Sequence, residues 1–129
     1  MCPARDTGAA LVMTRLDTEA MNRFLTELSQ AVAPGAHAIV LMDKAGWHIA
    51  GDLVVPTNLT PVFLPPYSPE LNPIERLWLY LKDSRLTHRV FPGTAHIIDA
   101  CCEAWNDLLA ETGRIRSLCS YPWLEKVSA

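Results

Sequence analysis

A chain of 129 residues, half of them hydrophobic and 19% charged, has the composition of one globular domain with enough apolar side chains to fill a core. Its net charge of −3 and pI near 5.7 exclude a free-standing nucleic-acid binder that works through a general positive field. No apolar run approaches the ~20 residues that span a bilayer, and Met1-Cys2-Pro3-Ala4-Arg5-Asp6 lacks a signal-peptide core, so a cytoplasmic protein without a membrane partner is expected.

Residues 1–10 are small and polar without a period and are expected to form a loose lead-in to one domain over 11–129. Leu11-Val12-Met13-Thr14-Arg15 has strand propensity. Asp17 or Thr18 can cap a helix on which Met21, Phe24, Leu25 and Leu28 trace one apolar face, ending near Ala33-Pro34-Gly35. Ala38-Ile39-Val40-Leu41-Met42, uninterrupted by polar residues, predicts a strand buried on both faces and hence a parallel sheet; Asp43 terminates it. Ala45-Gly46-Trp47-His48 and Leu53-Val54-Val55 make a helical or irregular crossover. Asn58 marks a turn, and Thr60-Pro61-Val62-Phe63-Leu64 is the next strand.

Three prolines then stop the strand, and a helix begins by rule: Asn72 as N-cap, Pro73 in the first position, Glu75 in the third. Ile74, Leu77, Trp78 and Leu81 recur on one face, and the helix runs to about Asp83. The basic segment Lys82–Arg89 follows and breaks at Pro92-Gly93. Thr94 can cap the last long helix, with Ile97, Ile98, Cys101, Trp105, Leu108 and Leu109 as its face and Gly113 as its C-cap. A tail with Ile115, Leu118 and Trp123 packs back as a short helix and coil. The order β-α-β-(α)-β-α-α is an α/β layer structure.

Two carboxylates stand where this order gathers ligands. Asp43 ends a central parallel strand, the edge at which open α/β sheets bind ligands, and Glu75 opens the helix after the neighbouring strand. Carboxylates brought together there repel unless a cation such as Mg²⁺ or Mn²⁺ sits between them. The plainer alternatives are a strand-end turn for Asp43 and a capping box with Asn72 for Glu75. His48 can help at a scissile phosphate or serve a structural role. Lys82, Arg85 and Arg89, at helical intervals, can contact DNA phosphates or form a solvated helix end. Tyr67 can stack on a base or pack against Trp78. Cys2, Cys101, Cys102 and Cys119 fit no zinc template and read as reduced core residues.

Leu41-Met42-Asp43-Lys44-Ala45-Gly46-Trp47-His48, followed by Leu64-Pro65-Pro66-Tyr67-Ser68-Pro69-Glu70-Leu71-Asn72-Pro73-Ile74-Glu75-Arg76-Leu77-Trp78, closely resembles the DDE endonuclease domain of bacterial insertion-sequence transposases related to mariner. The resemblance extends from about Leu11 to Trp123. It implies an RNase H-like fold, DNA transposition and integration chemistry at transposon ends and target DNA, and a catalytic set of two aspartates and a glutamate binding Mg²⁺ (or Mn²⁺). It places the second aspartate on Asp43 and the glutamate on Glu75, with 31 residues between them, close to the spacing usual in that family.

The departure from the family pattern is at the N-terminus. The family's first aspartate lies on the first strand of the sheet, and this chain starts too late to include it. Asp6, in the lead-in, and Asp17, capping a helix, stand in the wrong context to replace it. The helix-turn-helix region that reads transposon ends is missing too, which agrees with the acidic pI. Without the first two strands, Leu11–Arg15 loses its partner and Ala38–Met42 presents an unpaired apolar edge that invites self-association. The expectation is the C-terminal part of a DDE catalytic domain, inactive alone. Its partners would be DNA and the missing N-terminal half or a full-length transposase. The alternative is a non-enzymatic remnant or regulator that assembles with a full-length transposase.

Overall fold

The computed structural model describes residues 1–43 and 51–128 and divides the chain into two compact bodies, Met13–Asn72 and Met1–Val12 with Pro73–Ala129. The first is built on a helix and a small sheet, the second on helices.

In the sheet body, Asp17 has extended backbone and its Oδ1 accepts the Ala20 N–H at 2.9 Å, so helix α1 (Thr18–Ala31) starts where its cap predicts. The turn after it uses Gly35 at φ +77, a left-handed conformation that glycine adopts freely. Strands β1 (Ala38–Met42) and β2 (Leu59–Phe63) then pair in parallel, with Ala38 opposite Leu59 and Met42 opposite Phe63. Pro61, which lacks an N–H, is tolerated because β2 is an edge strand among the described residues. Leu25 of α1 is fully buried against Met42 and Leu59, with Met21, Leu28, Val40 and Phe63 around them.

Among the described residues of this body, α1 packs on one face of the sheet. Ile39 is 57% exposed and Val62 43%, so the expectation of a strand buried on both faces is corrected: helix α1 shields only the side carrying Ala38, Val40 and Met42. Leu11–Arg15 forms no strand. Strand propensity takes effect only where a neighbouring strand supplies the ladder, and this run straddles the boundary between the bodies instead.

Asn58 does more than mark a turn. Its Nδ2 donates to the Ser29 carbonyl at 2.9 Å, its Oδ1 accepts from Ser29 Oγ at 2.6 Å, and its own carbonyl accepts the Ala38 N–H. One side chain thereby ties the entry of β2 to α1. Asn58→Ala removes both partly buried hydrogen bonds to Ser29. It is expected to destabilise the sheet body by about 1–3 kcal/mol in urea denaturation.

In the helical body, α2 (Ile74–Leu81), α3 (Thr94–Ala110), α4 (Arg114–Cys119) and α5 (Pro122–Ser128) follow one another. Asn72 is extended and Pro73 already has helical angles, so α2 begins as predicted to within the usual one-residue uncertainty of helix ends. The core is Leu77, Leu81, Ala104, Leu108, Ile115 and Cys119. Two expected faces shift. Trp78 is 49% exposed, and the buried stripe of α3 is Ala100, Ala104 and Leu108 rather than Ile97 and Leu109. Small residues win there because alanines let a neighbouring helix approach closely, whereas the larger flanking side chains remain at the margin. Of the cysteines, Cys119 is a core residue while Cys2 and Cys102 are exposed.

The N-terminal residues, expected to be loose, are tied down within this body. Gly113, at φ +81, is the N-cap of α4 but has no side chain to cap it. Asp6 supplies the carboxylate from the other end of the sequence, accepting the Arg116 N–H at 3.0 Å and the Gly113 N–H. Arg116 Nη2 in turn donates to the Ala4 carbonyl at 3.0 Å, and a Cβ on Gly8 would meet the Trp105 ring at 3.0 Å.

Candidate active site

Asp43 follows the last residue of β1 and is exposed at the carboxyl edge of a parallel strand. The ladder continues past it: Leu64 N–H donates to the Met42 carbonyl at 2.7 Å, which fixes the backbone immediately before Asp43. Glu75 is the second residue of α2 and is exposed in its first turn, where a carboxylate complements the positive end of the helix dipole. Three residues on, the half-exposed Trp78 lies on the same side of the helix. Asp43 thus belongs to the sheet body and Glu75 to the helical body. His48 lies outside the described residues.

The two N-terminal aspartates both sit at helix ends. The Asp6 carboxylate holds the α4 amides, and those N–H groups of Arg116 and Gly113 keep its pKa below the usual range. Asp17 caps α1 and pairs with Arg15 at 3.4 Å. Among the described residues, no three His, Cys, Asp or Glu side chains cluster as a metal site.

The basic segment is built differently from the expected helix face. Helix α2 gives way to a π-turn at Lys82–Leu86, closed by Thr87, whose N–H and Oγ1 both donate to the Lys82 carbonyl at 2.7 Å. His88 then takes φ +64. Lys82, Arg85 and Arg89 therefore do not share a helical stripe. Lys82 is exposed, and Arg89 is exposed with its guanidinium 5.3 Å from the Phe91 ring centre. Arg85 is turned inward, its Nη2 2.7 Å from Glu111 Oε1 and its Nη1 3.2 Å from Asp107.

Glu111 is the charged hub of the helical body, and nothing in its local sequence marks it beyond the nearby Arg114. It accepts from Arg114 Nε at 2.6 Å, from Arg85, and from the Tyr80 hydroxyl at 2.9 Å, which together push its pKa down to about 2. Tyr67, expected either to pack or to stack, has a fully exposed ring. Among the described residues no helix is long and apolar enough to cross a membrane.

Residues 1–97 match the profile of a family described as DDE superfamily endonuclease. The matched segment includes both Asp43 and Glu75. The chain is also 43% identical over 126 residues to an uncharacterized protein, y4pE/y4sA, of Sinorhizobium fredii (strain NBRC 101917 / NGR234), covering 98% of this chain and 93% of that relative. No solved structure matches it.

Proposed function

The chain belongs to the DDE superfamily of endonucleases, and from that premise we propose that it is the C-terminal part of a transposase catalytic domain which does not cleave DNA on its own. Membership implies an RNase H-like fold and DNA as the substrate class. Asp43 and Glu75 are the two carboxylates proposed to share Mg²⁺ or Mn²⁺, with His48 as a helper. When bound, such ions activate water and stabilise the leaving oxygen of a phosphodiester. This chain's own part is to present one carboxylate from a strand end and one from a helix start, both on backbone fixed by regular hydrogen bonding.

The observation that carries the reading of incompleteness is the commitment of Asp6 and Asp17 to helix ends. Each already accepts backbone N–H groups, so using either as a metal ligand would uncap a helix. The test is a supercoiled-plasmid assay in Mg²⁺ and Mn²⁺. The purified chain is expected to leave the plasmid intact. Metal-dependent nicking that disappears in both Asp43→Ala and Glu75→Ala would overturn the proposal of inactivity.

A second reading, a non-enzymatic regulator that assembles with a full-length transposase or with itself, is favoured by the exposed apolar side chains of Ile39 and Val62 on the sheet. It predicts co-purification with an intact relative, lost in Ile39→Lys, without nicking.

A further inference from the structure

The turn between β2 and α2 presents an aromatic ring in an unusual way. Tyr67 is 101% exposed, and its backbone sits at φ +56, a left-handed conformation that bulky side chains disfavour. Pro65 and Pro66 precede it and Pro69 follows, each with a fixed φ, so the approach and exit of the chain are restricted. Ser68 Oγ donates to the Pro66 carbonyl at 3.3 Å, and a 3₁₀ turn at Pro69–Leu71 continues from Ser68 with Leu71 N–H on the Ser68 carbonyl at 3.1 Å. The ring is therefore held out into solvent by a stiff support.

The charge around it selects the kind of contact. From Leu64 to Asn72 there is no lysine or arginine, and Glu70 is exposed. The turn itself offers no cation to a phosphate. An uncharged ring with two open faces instead suits the π-face of a nucleobase. Inside a duplex those faces are covered by neighbouring bases, so the base must be unpaired or turned out of the stack.

We infer that Tyr67 is a stacking platform for one unpaired base of the DNA substrate, a base-contact site distinct from the carboxylates and from the basic segment. The inference rests on the assignment of DNA as substrate. Because rotation of the ring is limited to two χ angles and the turn is already ordered, stacking immobilises little that was free. Because no phosphate is neutralised, the contact contributes affinity without contributing to the salt dependence.

The test uses the full chain and a single-stranded oligonucleotide carrying 2-aminopurine, with the same sequence as a blunt duplex for comparison. The expected result is quenching of 2-aminopurine on binding and a roughly 5- to 150-fold weaker affinity for the single strand in Tyr67→Asn. Asparagine tolerates the left-handed backbone, so this variant removes the ring and keeps the turn. Tyr67→Phe is expected to bind as the wild type does, and the slope of log affinity against log salt is expected to be the same in all three. Wild-type affinity in Tyr67→Asn, or an equal loss in Tyr67→Phe, would overturn the stacking role while leaving DNA binding in place. A wild-type chain that binds neither form of the oligonucleotide would overturn the DNA assignment itself.

Discussion

Leu108→Ala is expected to remove about 2–5 kcal/mol from the stability of the helical body, a large share of the roughly 5–15 kcal/mol that typically holds a small domain together. Leu108 is 0% exposed and packs with Leu77, Leu81, Ala104, Ile115 and Cys119. Truncating it loses the transfer free energy of its side chain and leaves a cavity that the α3 alanines are too small to fill. The adjacent Leu109 is 43% exposed, and Leu109→Ala is expected to cost about 1 kcal/mol or less. Leu108→Met, which conserves volume, should stay below about 1.5 kcal/mol. Urea denaturation followed by near-UV circular dichroism reports on this body because Trp105 packs against the same core. Equal losses at Leu108 and Leu109 would contradict the packing of α3 described above.

That pair of leucines also shows what the sequence discloses and what it withholds. Helical periodicity places both on the apolar side of α3, since neighbouring positions differ by only about a quarter turn. Which of the two is buried depends on where the next helix lies, and that is decided by Ala100 and Ala104, whose small side chains carry a weak pattern signal. Local rules fared best where a local interaction decides the outcome. Asp17 caps α1, Pro73 starts α2, and the apolar run Ala38–Met42 becomes a parallel strand. They failed where the partner is distant in the chain. Asp6 holding the first turn of α4, and Glu111 joining Tyr80, Arg85 and Arg114, are contacts that no window of sequence displays. The same limit governs the basic segment. Spacing alone aligns Lys82, Arg85 and Arg89 on a helix, but the π-turn and His88 break that stripe and Arg85 finds carboxylates instead of solvent. Asp43 and Glu75 are proposed as the site on the resemblance carried by the long proline motif, a stronger signal than either carboxylate carries alone.

Acidification is expected to weaken the helical body through Glu111. Its carboxylate is held by the Arg114 guanidinium first, then by Arg85 and the Tyr80 hydroxyl, and its pKa falls from the ordinary 4.5 to about 2. A carboxyl whose folded pKa lies below its unfolded value binds fewer protons in the folded state. The stability it contributes is fully present above about pH 4.5 and is lost as the pH falls through about 2. Asp6 acts with the same sign, because the Arg116 and Gly113 N–H groups lower its pKa as well. In thermal melts of the helical body from pH 7 down to pH 2, the wild type is therefore expected to lose Tm steeply below about pH 4.5. Glu111→Gln should start lower at neutral pH, fall less, and meet the wild type at the acid end. Added salt should narrow the gap at pH 7, since these groups lie near solvent and are screened. Parallel melting curves for the two proteins would rule out Glu111 as the source. The substitution has a second consequence. The carboxylate that braces α2, the π-turn and α4 also holds Arg85, which pairs with Asp107 too, so Glu111→Gln combined with Asp107→Asn should free a guanidinium for phosphate. In the DNA-binding assay this appears as a salt slope steeper by about one contact, while the stacking contribution of Tyr67, which involves no charge, stays as it was.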